Sequence, residues 1–152
     1  MPTRYAHTNI VAADWMKLAA FYVDVFDCEM VPPNRDMSGE WLEIGTGVKN
    51  AHLRGAHLKL PGYGEGGPTI EVFSYDEMLE RPTPPAANRK GFGHLAFEVD
   101  DVDAIVRQVV RHGGKMLGRV STTKVADVGT LTFAYTTDPE GNIVEVLRWD
   151  RG

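Results

Sequence analysis

Two histidines, His7 and His94, each sit in a strand-like run, "YAHTNIV" and "FGHLAFEV". Two glutamates, Glu71 and Glu145, each sit inside a later apolar run, "TIEVFSY" and "NIVEVLRW". An imidazole or a carboxylate on a strand is costly to withdraw from water unless it is paired or ligates a metal. Two imidazoles and two carboxylates together suit a divalent transition ion such as Ni²⁺, Zn²⁺, Co²⁺, Mn²⁺ or Fe²⁺. The carboxylates offset the ion's charge and leave one or two positions for water or substrate. A loosely held carboxylate can then act as a base beside a Lewis-acidic ion. His7, Glu71, His94 and Glu145 are therefore the candidate metal ligands, and Glu71 and Glu145 the candidate catalytic carboxylates.

The elements that must position these four residues form a repeat. His94 follows His7 by 87 residues, and Asp101 follows Asp14 by the same 87. Each copy begins with a strand-like run, Tyr5 to Val11 and Phe92 to Val99, and reaches an Asp able to cap a helix. Trp15, Leu18, Tyr22 and Val25 follow the first Asp near helical spacing. Val102, Ile105, Val106 and Val109 follow the second as the stripe of a packed helix, closed by Gly113 and Gly114.

Strands come next in each copy. The second copy offers "KMLGRV", "GTLTFAYTT" and "NIVEVLRW", the last two joined by the turn "DPEGN". The first offers "HLRGAHLKL" and "PTIEVFSY", joined by "PGYGEGG", while Met37 to Val48 fits a short strand and a helical turn equally well. Pro82, Pro84 and Pro85 break regular structure between the copies. The pattern predicts an α+β fold of two paired βαβββ modules, with a curved mixed sheet around a metal-binding groove. The modules span 1–78 and 92–152, with a linker over 79–91, in one compact domain overall. The His-to-Glu separation is 64 residues in the first copy and 51 in the second. The Met37–Val48 segment accounts for that difference and lets both pairs take equivalent positions.

Composition narrows the function classes. The 152 residues are 43% hydrophobic and 24% charged, an ordinary globular mix, and the formal net charge is −5. That charge gives no basic footprint for nucleic acid or anionic membrane. No apolar run approaches the length needed to cross a bilayer, and the opening lacks a signal-peptide pattern, so a cytoplasmic location is expected. Cys28 is the only cysteine, so no internal disulfide forms, and it reads as a small packed residue. His57, in "GAHLKL", is a candidate substrate-binding residue lining the groove. His52 and His112 read as exposed, at a loop edge and a helix end. Glu40 and Glu43 are possible further acid/base groups of uncertain direction. Arg54, Arg89 and Lys124 are candidates for holding an anionic substrate, with a solvated role favoured for each.

"GFGHLAFEVDDVDAIVRQVVRHGGK" and "FAYTTDPEGNIVEVL" carry a family resemblance. The whole chain resembles the vicinal oxygen chelate superfamily, which includes glyoxalase I, methylmalonyl-CoA epimerase, extradiol dioxygenases and bleomycin-resistance proteins. The resemblance implies metal ligands at His7, Glu71, His94 and Glu145, a set similar to that of bacterial glyoxalase I. It also implies a metal-dependent lyase or isomerase that moves a proton next to a carbonyl through a metal-chelated enediolate or enolate. A small-molecule substrate and a homodimer follow from the same resemblance. An extradiol-type dioxygenase and a metal-free binding or resistance protein are the alternatives. Glu71 argues against the dioxygenases, which use three ligands, and the full ligand set argues against a metal-free binder. Two departures bear on the substrate. No Arg follows the first ligand in "HTNIVAAD", and "KVADVGTLTF" stands where bacterial glyoxalase I has a Lys-Gly-Gly-Thr-Thr loop. A glutathione adduct is therefore a doubtful substrate.

Overall fold

The first strand, β1, runs His7–Val11 and leads to helix α1, Trp15–Phe26. The computed structural model describes residues 2–152. Asp14 caps α1 by accepting from the Lys17 N–H at 3.1 Å, which satisfies one of the free donors of the first turn. Asp27, left-handed at φ 55°, ends the helix, and the Cys28 N–H donates back to the Tyr22 carbonyl at 3.2 Å. Strand β2 (Glu29–Ser38), helix α2 (Glu40–Thr46), strand β3 (His52–Lys59) and strand β4 (Thr69–Tyr75) complete the first unit. Its sheet has the order β1-β4-β3-β2, with β1 parallel to β4 and the other pairs antiparallel.

The second unit repeats the plan with strand β5 (Leu95–Glu98), helix α3 (Val102–Arg111), strands β6 (Lys115–Met116) and β7 (Ser121–Val125), strand β8 (Gly129–Thr137) and strand β9 (Ile143–Asp150). Its order is β5-β9-β8-β6, with β7 also on β8, and again the first strand is parallel to the last. Asp101 caps α3 through the Ala104 N–H at 2.9 Å. Gly114 closes it by donating to the Val109 carbonyl at 2.9 Å. A Cβ on Gly114 would come within 2.3 Å of the Thr137 carbonyl oxygen, so only glycine fits this close approach. The fold is α+β in two units, one up to Glu80 and one from Arg81. The proline-rich stretch runs with the second, where Arg81 donates to Asn142 Oδ1 at 2.7 Å and to the Glu140 carbonyl at 2.6 Å.

Three elements depart from the sequence-based expectation. Residues 29–38 form a strand despite Pro32 and Pro33. β2 lies at the sheet edge, where a missing N–H is tolerated, and its register shifts between Val31 and Arg35. The ambiguous segment divides into the end of β2 and a true helix, α2, closed by Gly47 at φ 72°. "KMLGRV" gives only the two residues of β6, and the longer partner of β8 is β7, "STTKV". Both β2 and β7 are largely exposed, so neither carries the apolar alternation that marks a strand in sequence.

Each helix covers one face of its sheet. In the first unit α1 packs on β3 and β4, and Leu18, Tyr22, Ala56, Leu58, Ile70 and Val72 are buried. In the second, α3 packs on β8 and β9 with Val109, Ala134, Val144 and Val146 buried. Strand alternation therefore turns Glu71 and Phe73, and likewise Glu145 and Leu147, to the opposite face of each sheet. In the first unit α2 covers one end of that face, where Leu42, Ala51, Leu53 and Phe73 pack with Met37 and Tyr75.

Candidate functional site

In the first unit Glu71 stands opposite Asn9 on parallel β1 and opposite His57 on antiparallel β3. In the second, Glu145 stands opposite Ala96 on parallel β5 and opposite Tyr135 on antiparallel β8. His7 precedes Asn9 by two residues, and His94 precedes Ala96 by two. The histidine and glutamate thus take the same register in both units, as the repeat predicts. One detail is corrected: His94 lies just before β5 rather than inside a strand, because regular pairing begins only at Leu95.

The side chains meet. His7 Nε2 lies 2.9 Å from Glu71 Oε1, and His94 Nε2 lies 3.0 Å from Glu145 Oε2. Both carboxylates are mostly withdrawn from water, at 12% and 14% side-chain exposure, whereas the His7 and His94 rings are 43% and 30% exposed. A carboxylate so withdrawn requires a charged or hydrogen-bonding partner. Glu71 has two more: His57 Nε2 lies 2.9 Å from its Oε2, and Asn9 Nδ2 donates to its Oε1 at 3.3 Å. The His57 ring sits edge-on to Phe73 at 5.9 Å and to His7 at 6.2 Å. Burial pushes the His57 imidazole below its ordinary pKa; the Glu71 carboxylate opposes this, and Arg35 and His7 reinforce it. In the second unit the place of His57 is taken by Tyr135, whose ring lies 4.8 Å from His94 and 5.9 Å from Phe133.

The structure therefore joins His7 with Glu71, and His94 with Glu145, and adds His57 to the first pair. Asn9 and Tyr135 are neighbours that the sequence reading did not single out. Among the described residues, no set of three or more His, Cys, Asp or Glu side chains converges on one ion position. The donor chemistry of each pair nonetheless fits a divalent ion. A nitrogen and an oxygen about 3 Å apart can both bind an ion at about 2.0–2.2 Å.

The remaining candidates stand elsewhere. Arg54 reaches Asp36 at 3.6 Å and Asp76 at 2.9 Å, so its charge is engaged by these two carboxylates. Arg89 and Lys124 are exposed. Glu40 and Glu43 lie in the first turn of α2, where carboxylates favour the helix dipole. His52 is not at a loop edge but opens β3 between Asp36 and Asp76, and His112 is half-buried at the end of α3 with Nδ1 2.9 Å from the Gln108 carbonyl. Cys28 is buried. Burial first, and the Asp27 charge second, push its thiol up to about 12, so it supplies no thiolate at neutral pH.

Comparison with known proteins bears on the family and the fold. The family model described as "Glyoxalase/Bleomycin resistance protein/Dioxygenase superfamily" matches residues 4–146. The chain belongs to this superfamily. Among its relatives, an Escherichia coli protein named only as uncharacterized protein YaeR is 29% identical over 92% of each chain. A probable lactoylglutathione lyase of Vibrio parahaemolyticus is 25% identical over 95% of this chain and 90% of its own. A solved glyoxalase family protein from Bacillus cereus shares the fold at a TM-score of 0.80 and 18% identity, over 98% of this chain and 95% of that one. The fosfomycin resistance protein FosX of Listeria monocytogenes, solved with Mn(II) and sulfate, shares it at 0.57 and 15% identity, over 99% and 95%. No helix among the described residues is long and apolar enough to cross a membrane.

Proposed function

We propose that this superfamily member is a metal-dependent lyase or isomerase that moves a proton on a carbon next to a carbonyl. The observation that carries this reading is the His–Glu pair, repeated in the same strand register in both units. His7 with Glu71, and His94 with Glu145, would each offer a nitrogen and an oxygen to a divalent ion, whose Lewis acidity stabilises negative charge on the substrate's oxygens when it is bound. The name of the Vibrio parahaemolyticus relative, a probable lactoylglutathione lyase, and the Mn(II) in the FosX structure support the chemistry.

The two carboxylates differ in freedom. Glu71 is bonded at both oxygens, while His94 is the one side chain bonded to Glu145 among the described residues. Glu145 therefore has an oxygen available to accept the proton as the C–H bond breaks and its electron pair moves toward the adjacent carbonyl oxygen. The same carboxyl then returns the proton to the neighbouring carbon or to the opposite face. The substrate class is a small α-hydroxy carbonyl, thiohemiacetal or acyl thioester; the departures from the glutathione-binding pattern argue against a glutathione adduct.

Metal analysis of protein purified without added metal, followed by solvent-deuterium exchange into these three substrate classes, tests the proposal. Glu145→Gln should keep much of the metal and lose about 10²–10⁴-fold in exchange rate, because an amide oxygen still ligates but cannot accept the proton. Glu71→Gln should be milder, since Glu71 mainly supplies charge. Equal loss in both variants would overturn the division of roles. Oxygen uptake with catechols and Fe²⁺, without exchange into any substrate, would turn the reading to a dioxygenase.

A further inference from the structure

Glu71 and its counterpart Glu145 occupy equivalent register positions, yet their neighbours differ on both flanking strands, Asn9 and His57 beside Glu71 against Ala96 and Tyr135 beside Glu145. Across the hairpin from Glu71 stands an imidazole, His57; across from Glu145 stands a phenol, Tyr135. His57 Nε2 lies 2.9 Å from Glu71 Oε2, the oxygen that His7 does not take. The terminal torsion of a glutamate is soft and nearly two-fold, so an unheld carboxylate swings about its last bond. A donor fixed on one oxygen removes that freedom and sets the direction of the other.

We propose that His57 is a positioning residue, holding Glu71 Oε2 so that Oε1 stays directed at His7. Two features make it suited to this. Direct opposition of His57 and Glu71 in the β3–β4 ladder sets their separation through the backbone. The edge-on contact with Phe73 restrains the ring. Partners behind a ligand commonly matter 10–100-fold to metal affinity. The second unit lacks this device, which leaves Glu145 the freer carboxylate of the two.

This inference rests on the reading of His7 and Glu71 as ligands, and two measurements on the full chain separate them. The first is Co(II) titration followed by visible absorbance for wild type, His57→Phe and His57→Gln, with thermal unfolding to check the fold. His57→Phe keeps a ring against Phe73 but removes the donor, and should weaken Co(II) binding about 10–100-fold. His57→Gln restores an N–H and should recover most of that loss. Unchanged Co(II) affinity and spectrum in His57→Phe, or equal losses in the two variants, would overturn the proposal. The second measurement needs no metal. Imidazole ¹⁵N resonances of His7 in the apo chain report its bond to Oε1, and should shift in His57→Phe and return toward wild type in His57→Gln. Absence of Co(II) binding by wild type would refute the metal reading; His7 resonances indifferent to both substitutions would refute the role of His57.

Discussion

His52 carries a carboxylate on each ring nitrogen: Asp36 Oδ1 at 2.7 Å from Nε2 and Asp76 Oδ2 at 2.8 Å from Nδ1. A neutral imidazole has a single N–H, so both contacts are donated bonds only in the imidazolium. The hydrogen bond with Asp36 raises the His52 pKa most, that with Asp76 next; burial and the Arg54 charge oppose them. Asp76 moves the other way, lowered first by its bond with His52 and then by that with Arg54. The signs define a window. A folded His52 pKa above the unfolded one stabilises the fold fully below about 6.5, and that stabilisation fades as pH rises through the folded value. The depressed Asp76 stabilises above the ordinary carboxylate range and loses its effect as pH falls through its own folded value. The stability difference between wild type and His52→Gln, from denaturant midpoints, should therefore be larger near about pH 6 than near about pH 9. A difference that grows with pH would contradict the charged clamp. At this scale the ligand candidates were legible because His and Glu are conspicuous on apolar strands. Tyr135 was not, since a tyrosine in "TFAYTT" looks like any core aromatic. Counting outward from the hairpin turns would have found it: Gly64 is the midpoint between His57 and Glu71, and Glu140 between Tyr135 and Glu145.

Among the elements, β3 does the most to place the site, since it carries His57 and joins β2 to β4. Gly55 is its tightest point. A Cβ there would lie 2.1 Å from the Val72 carbonyl oxygen and 2.5 Å from the Phe73 ring, and neither neighbour is a mobile side-chain end. Gly55→Ala must push β4 or rotate Phe73, the ring that braces His57. Overpacking of this kind costs about 1–3 kcal/mol or more, so the urea midpoint should fall clearly. Gly45→Ala in α2 is the control, because a Cβ there meets nothing within 4 Å. Equal midpoints for the two variants would show that β3 tolerates the side chain. The central strands and the long helices were legible because burial imposes a period on them. α1 and α3 also announced their starts through Asp14 and Asp101. The edges were not: β2 is interrupted by two prolines and β7 is a run of exposed Ser, Thr and Lys, so backbone pairing alone makes them strands. α2 escaped because seven residues with buried Leu42 as their anchor give too short a period to separate helix from strand.

At the scale of the whole molecule, the offset of 87 residues seen in two histidines and two aspartates corresponds to two units with the same strand order and the same site register. That duplication leaves each sheet with edges. β1 and β2 flank the first sheet; β5 and the short β6 flank the second, with β7 also on β8. Pro32 and Pro33 protect β2 from pairing with a stray strand, but β1 and β5 contain no proline. Closed association with a second copy is one way to cover such edges, and two-fold pairs are the commonest closed oligomers. We therefore expect a homodimer. Light scattering at micromolar concentration should give twice the 16.8 kDa chain mass. If association stabilises the fold, Tm should also rise with chain concentration, because a partner that binds only the folded chain shifts unfolding by mass action. A single-chain mass together with a Tm independent of concentration would mean that the edges are tolerated within one chain. The expectation of a dimer would then fall without touching the two His–Glu pairs.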